Sequence, residues 1–105
     1  MLHGDKEREL EIKAMLRRQL QKAGPMLLGH KVFLFGSRAM GDAGPRSDFD
    51  VGVFGGEPLP LRDYFAIEDM LDALPTLYKI DWVDFNRVSP EFREWAMKQI
   101  EFLYE

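Results

Sequence analysis

Asp48 and Asp50 stand one residue apart in "SDFDVGVF", an otherwise apolar and β-branched run. Along an extended strand, side chains at i and i+2 project from the same face. Two carboxylates held side by side repel each other unless a cation or a proton lies between them. As hard oxygen donors they suit Mg2+; the plainer alternative is a solvated strand face with Asp48 closing an Asx turn. A third acid, Asp81, lies in "KIDWV", inside another run that reads as a strand, where acidic residues are depleted. If the two runs are neighbours, Asp48, Asp50 and Asp81 form a cluster whose repulsion two Mg2+ ions would relieve, an arrangement suited to phosphoryl or nucleotidyl transfer. Asp84 competes from the opposite face of the same run; Asp81 is preferred because it lies further inside the apolar stretch.

A second motif precedes the acidic pair. Gly36-Ser37 ends the apolar run "HKVFLFG", and ten residues, 38–47, separate it from Asp48. A strand, a glycine that permits a tight turn and a short helix would leave free N–H groups facing outward, the usual seat of a phosphate. The Ser37 hydroxyl adds a donor and Arg38 a positive charge. The alternative is a simple turn with serine as helix cap.

The elements that must position these residues follow from hydrophobic period and breakers. Residues 5–23 read as a helix with Leu10, Ile12, Met15, Leu16 and Leu20 as its apolar stripe, Asp5 as cap and Gly24-Pro25 as stop. Residues 30–36 read as a buried strand, 37–41 as a helical turn and 41–47, with two Gly and one Pro, as a loop. "SDFDVGVF" is the second strand, with Phe49, Val51 and Val53 on one face and Asp48, Asp50 and Gly52 on the other. Residues 55–60 are a linker, 61–74 an amphipathic helix stopped by Pro75, and 78–85 a third strand. Ser89-Pro90 opens a last helix striped by Phe92, Trp95, Ala96 and Ile100. Helices alternating with strands, α-β-α-β-α-β-α, predict an α/β sheet covered by helices.

Composition limits the function classes. A chain of 105 residues is expected to be one domain with a modest core. The net charge of −4 counts against broad nucleic-acid binding. Cysteine is absent, which removes disulfides, thiolate nucleophiles and Cys-based zinc sites. No apolar run approaches the ~20 residues of a membrane span, and the polar N-terminus has no secretory core; a cytoplasmic protein is expected. His3 and His30 are too isolated for a metal site. Trp82 and Trp95 are expected in the core or facing a partner, Tyr78 and Tyr104 in packing, and Phe54 in an exposed loop.

The pattern Gly-Ser, ten residues, Asp-x-Asp, with a later strand acid, resembles the DNA polymerase β-like nucleotidyltransferase superfamily. "FGSRAMGDAGPRSDFDVGV" with "IDWVDFNRVSPEFREWAMKQIEFLYE" is most similar to its minimal nucleotidyltransferase (MNT) proteins, over roughly residues 10–105. The resemblance implies the polymerase β-like palm fold, a small mixed sheet flanked by helices, in a single minimal domain over 1–105. It also implies a site for ATP and two Mg2+ ions. Gly36 and Ser37 would hold the terminal phosphates and Arg38 would contact the triphosphate. Asp48 and Asp50 would bridge the metals, and Asp81 would bind the catalytic metal and help deprotonate a hydroxyl that attacks the α-phosphate.

Two departures stand out. Met40 occupies a place where the family often has Arg, for which Arg46 is a substitute from the loop, and Val51-Gly52 replaces bulkier apolar residues. Larger relatives carry a second, helical domain; with none expected here, the acceptor platform would come from a partner or from self-association. MNT proteins resemble the antitoxin half of pairs whose other member is a helical HEPN protein, and transfer of AMP to a HEPN tyrosine is the implied activity. The alternative is a contact-type antitoxin that holds nucleotide weakly. Transfer to a small molecule or to RNA is a third reading, against which the acidic charge and the missing domain both count.

Overall fold

The computed structural model describes residues 3–105, with side chains from Lys6 onward. Helix α1 spans His3–Lys22 and runs through a short 3-10 turn, Gly24–Leu27, into strand β1, His30–Phe35. A four-residue helix α2, Ser37–Met40, and a loop lead to β2, Phe49–Gly55; then come α3, Leu61–Asp72, β3, Ile80–Asp84, α4, Pro90–Ala96, and β4, Glu101–Tyr104. The sheet order is β3-β2-β1-β4. Strand β2 is antiparallel to β1 and parallel to β3, while β4 pairs antiparallel with the other side of β1. The sheet is therefore mixed, and α3 supplies the crossover that a parallel β2–β3 pair requires.

Strand alternation divides the apolar residues between two faces. Val32, Leu34, Phe49, Val51, Val53 and Trp82 point to one face and pack beneath α1 and α3, with Ile12, Leu16, Leu20, Ile67 and Leu71. The opposite face carries Phe33, Phe35 and Phe85, closed by Ala96 of α4. Three rings meet edge to face there: Phe33–Phe85 centroids lie 5.0 Å apart and Phe35–Phe85 4.9 Å. Gly52 makes this possible, because a Cβ at that position would come within 2.7 Å of both Phe33 and Phe85. The glycine that departs from the usual bulky residue thus has a packing reason: the rings occupy its side-chain volume.

The structure corrects several expectations. The first helix begins at His3, so Asp5 lies inside it, and Leu10 is 63% exposed instead of joining the stripe. The last helix ends at Ala96, and Ile100 packs on the aromatic face from outside any helix. The tail forms β4, a strand that the pattern reading missed. Four residues are too short for a visible period, and only Leu103 is buried. Phe54 is half-buried beside β1's rings with the Arg93 guanidinium 5.3 Å above it, so it is not in an exposed loop. Ser89 caps α4, accepting a bond from the Phe92 N–H at 3.2 Å, as its Ser-Pro start predicts.

Candidate functional site

Parallel pairing of β2 with β3 sets Asp50 directly opposite Asp81. On its other side Asp50 is opposite Phe35, the residue before Gly36. The acidic pair and the glycine turn, far apart in sequence, thus share one corner of the aromatic face. Gly36 has φ 72° and ψ −154°, a conformation that side-chain-bearing residues avoid, and a Cβ there would overlap the Asp50 Oδ2. The glycine lets the backbone turn tightly and lets a carboxylate lie against the turn.

The Asp50 carboxyl is raised from 3.8 to about 6. Burial is the largest cause; the Asp81 charge and a proton shared with Asp81 come next, then the charge of Asp48, while Lys79 acts in the opposite direction. The two opposed carboxyls therefore form a site that attracts either a proton or a cation.

Asp48 is placed differently from its strand expectation. Pairing with β3 begins at Phe49 opposite Ile80, so Asp48 falls one residue outside β2 and is exposed at the loop's end. Among the described residues no three His, Cys, Asp or Glu side chains are arranged to hold a metal ion. The donor set at the corner is a carboxylate pair with a third carboxylate near enough to act on it electrostatically. Two carboxylates completed by water and substrate phosphates are a usual Mg2+ environment, so the residues present fit that ion. Asp84, the competitor, is buried and has structural partners: Oδ2 accepts the Leu59 N–H at 3.1 Å, Oδ1 accepts the Asn86 N–H at 2.9 Å, and Arg87 lies 3.3 Å away.

The turn after β1 has Gly36, not Ser37, as its cap, and no side chain caps it. The Gly36 carbonyl accepts the Ala39 and Met40 N–H groups at 3.1 and 3.0 Å. Ser37 is half-buried and does not serve as a cap. Arg38, expected at the triphosphate, has internal partners. Its side chain is 5% exposed, its Nη1 donates to Glu9 at 2.9 Å and its Nη2 to the Ser47 carbonyl at 2.7 Å. Met40 is exposed, and so is Arg46 on the loop.

A cleft of about 730 Å3 opens over this corner, bordered by Gly36, Asp50, Asp81, Lys79, Phe92 and Trp95. Lys79 is a residue that the pattern reading missed. It stands one residue before β3, with its Nζ 3.5 Å from the Asp81 carboxylate, and brings a cation to the acidic pair. The signal was present as Lys-x-Asp, but alternation alone does not distinguish it from a solvated edge. Phe92 and Trp95 are 36% and 55% exposed at the cleft rim, with ring centroids 6.1 Å apart, whereas Trp82 is buried against Tyr64. His30 bonds to the carbonyls of Leu28 and Glu57 and is a structural residue.

Residues 29–105 match the family model "Polymerase beta, Nucleotidyltransferase", and the chain belongs to that nucleotidyltransferase family. No curated protein matches it. Solved structures share its fold. One is a chain from a toxin–antitoxin crystal structure with AMP-PNP, 21% identical over 84% of this chain and 72% of that one, with a TM-score of 0.62. Another comes from a tri-AMPylated Shewanella oneidensis HEPN toxin in complex with MNT antitoxin, 18% identical over 88% and 71%, TM-score 0.59. A third, from Sulfolobus solfataricus and described as a nucleotidyltransferase, is 16% identical over 93% and 84%, TM-score 0.59. No helix among the described residues is long and apolar enough to cross a membrane.

Proposed function

We propose that residues 1–105 act as one minimal nucleotidyltransferase domain that moves AMP from ATP to a hydroxyl, that of a tyrosine on a HEPN-type toxin, and so serve as its antitoxin. The observation that carries this reading is the opposition of Asp50 and Asp81 across β2–β3 beside the Gly36 turn. Nucleotide as substrate is supported by the AMP-PNP in one fold neighbour, and a HEPN acceptor by the AMPylated toxin in another.

In this reading the Gly36–Ser37 turn holds the terminal phosphates through backbone N–H groups and the Ser37 hydroxyl. Asp48, Asp50 and Asp81 are the residues that would hold two Mg2+ ions. When bound, the ions would supply charge neutralisation on the triphosphate and a lowered pKa for the attacking hydroxyl. Asp81 helps remove the proton from that hydroxyl as its oxygen bonds to the α-phosphorus; the bond to the β-phosphate oxygen breaks and pyrophosphate leaves. Lys79 and the loop's Arg46 offset the negative charge of the departing group. The exposed rings of Phe92 and Trp95 at the rim give a partner an apolar footing beside the reacting atoms.

A second reading, neutralisation by contact without transfer, is favoured by the exposed position of Asp48 outside the strand. One experiment separates the two. The protein is incubated with a HEPN-type partner and Mg-ATP, and the partner is weighed by mass spectrometry. The transfer reading expects mass gains in steps of one AMP, lost in Asp81→Asn. Absence of any gain, together with an Asp81→Asn variant that still neutralises the partner, would overturn it in favour of contact.

A further inference from the structure

Arg38 is the buried cation nearest the site in sequence, and its partners are internal. One arm reaches Glu9 on α1 at 2.9 Å, and the other reaches the carbonyl of Ser47, the residue immediately before Asp48, at 2.7 Å. The guanidinium lies 4.2 Å from the Phe49 ring centroid and 5.2 Å from that of Tyr78, so the residue after Asp48 is held by the same group. Its Nε has no hydrogen-bond partner and is packed away from solvent. A buried guanidinium with one donor unmatched is retained against a desolvation cost.

Glu9 is itself fixed. Its second oxygen lies 3.2 Å from Lys13 Nζ, which also reaches Glu101 of β4 at 2.9 Å, and Arg17 lies 3.3 Å from the other Glu101 oxygen. Burial alone would raise Glu9; the bonds from Arg38 and Lys13 outweigh it and hold the carboxyl below its ordinary value. The result is a continuous chain of charges from the C-terminal strand through α1 to the backbone on which Asp48 sits.

We propose that Arg38 is a positioning residue that anchors the end of the 41–47 loop to α1 and so fixes Asp48 relative to Asp50 and Asp81, and that it is not a triphosphate contact. Its importance for chemistry rests on the transferase reading; the anchoring itself does not. Flanking Asp48 on both sides, at the Ser47 carbonyl and the Phe49 ring, leaves that residue little freedom even though it lies outside the β2–β3 pairing. Lysine cannot reproduce this, because a single ammonium lacks the planar fork that spans two acceptors while stacking on a ring.

The test uses Arg38→Met, Arg38→Lys, Glu9→Gln and the Arg38→Met/Glu9→Gln double variant of the full chain, with two readouts. Amide hydrogen exchange over residues 42–50 reports the anchor, and calorimetric titration with Mn2+ alone reports the acidic cluster. Arg38→Met and Arg38→Lys should speed exchange in that segment at least tenfold and weaken Mn2+ binding by about tenfold or more, the usual effect of losing a group that orients metal ligands. Glu9→Gln, a change on α1 outside the proposed phosphate turn, should shift both readouts in the same direction, and the double variant should be no worse than Arg38→Met. Wild-type-like exchange and Mn2+ binding in Glu9→Gln, with Arg38→Met changing only ATP affinity, would overturn the proposal. If Arg38→Met does not fold, Glu9→Gln decides alone. If the wild type binds no Mn2+ and transfers no AMP, the transferase reading fails while hydrogen exchange still decides the anchor.

Discussion

Replacing Asp50 with Asn should make the metal-free protein more stable. The Asp50 carboxyl is raised from 3.8 to about 6, with burial first and the Asp81 charge second among the causes. A carboxyl with a raised folded-state value binds its proton more tightly in the native state. The penalty it imposes is absent below the unfolded value near 3.8, grows as pH rises, and is complete above about 6. Fully expressed, the difference between 3.8 and about 6 amounts to roughly 3 kcal/mol. Solvent screening at this half-buried position reduces it to about 1–1.5 kcal/mol. Urea unfolding in EDTA from pH 4 to 8 measures it directly. The gap between Asp50→Asn and wild type should open between pH 4 and 6 and stay constant above. At neutral pH it should appear as a melting-temperature rise of about 4–8 °C per kcal/mol for a chain of this size. Added MgCl2 should stabilise the wild type above pH 6, closing the gap, and leave Asp50→Asn unmoved. A variant less stable than wild type at pH 7.5, or a gap independent of pH, would refute the account of Asp50 and Asp81 as a mutually repelling pair.

Three further outcomes follow from the geometry. Gly36→Ala should lose about 1–3 kcal/mol from backbone strain alone and weaken ATP binding further, because its Cβ displaces the Asp50 carboxylate; thermal melting and nucleotide titration check the two parts. Asp84→Ala should destabilise by about 2–3 kcal/mol by leaving the buried Leu59 N–H unmatched, yet keep AMP transfer at temperatures where it is folded, which separates it from Asp81→Asn. Trp95→Ser should change melting by less than about 0.5 kcal/mol, since the ring is 55% exposed, while weakening association with a HEPN-type partner in a pull-down or calorimetric assay.

The strands were legible because each has a strong local signal. "HKVFLF" ends in four consecutive apolar residues, and "FDVGVF" alternates large apolar residues with Asp50 and Gly52. The preference for Asp81 over Asp84 also rested on a local feature, depth within an apolar stretch, and the buried bonds of Asp84 explain why the other acid is structural. Strand β4 was not legible, since four residues take their conformation from the open edge of β1. Nor was the destination of Arg38. A guanidinium after Gly-Ser reads as a phosphate contact unless it is known that α1 brings Glu9 beside it.

The sequence by itself determined the types of side chain at the site and the strand face that Asp50 and Asp81 would occupy, because alternation and breaker residues act over a few bonds. It also determined that position 36 tolerates a left-handed turn, since glycine alone carries that freedom. Only the tertiary structure decided which residues meet. The parallel register of β2 and β3 sets Asp50 against Asp81, and the packing of α1 draws Arg38 inward and leaves Asp48 outside the ladder. Those choices depend on pairing and burial between segments 30 residues or so apart, and no local pattern encodes the distance across which they are made.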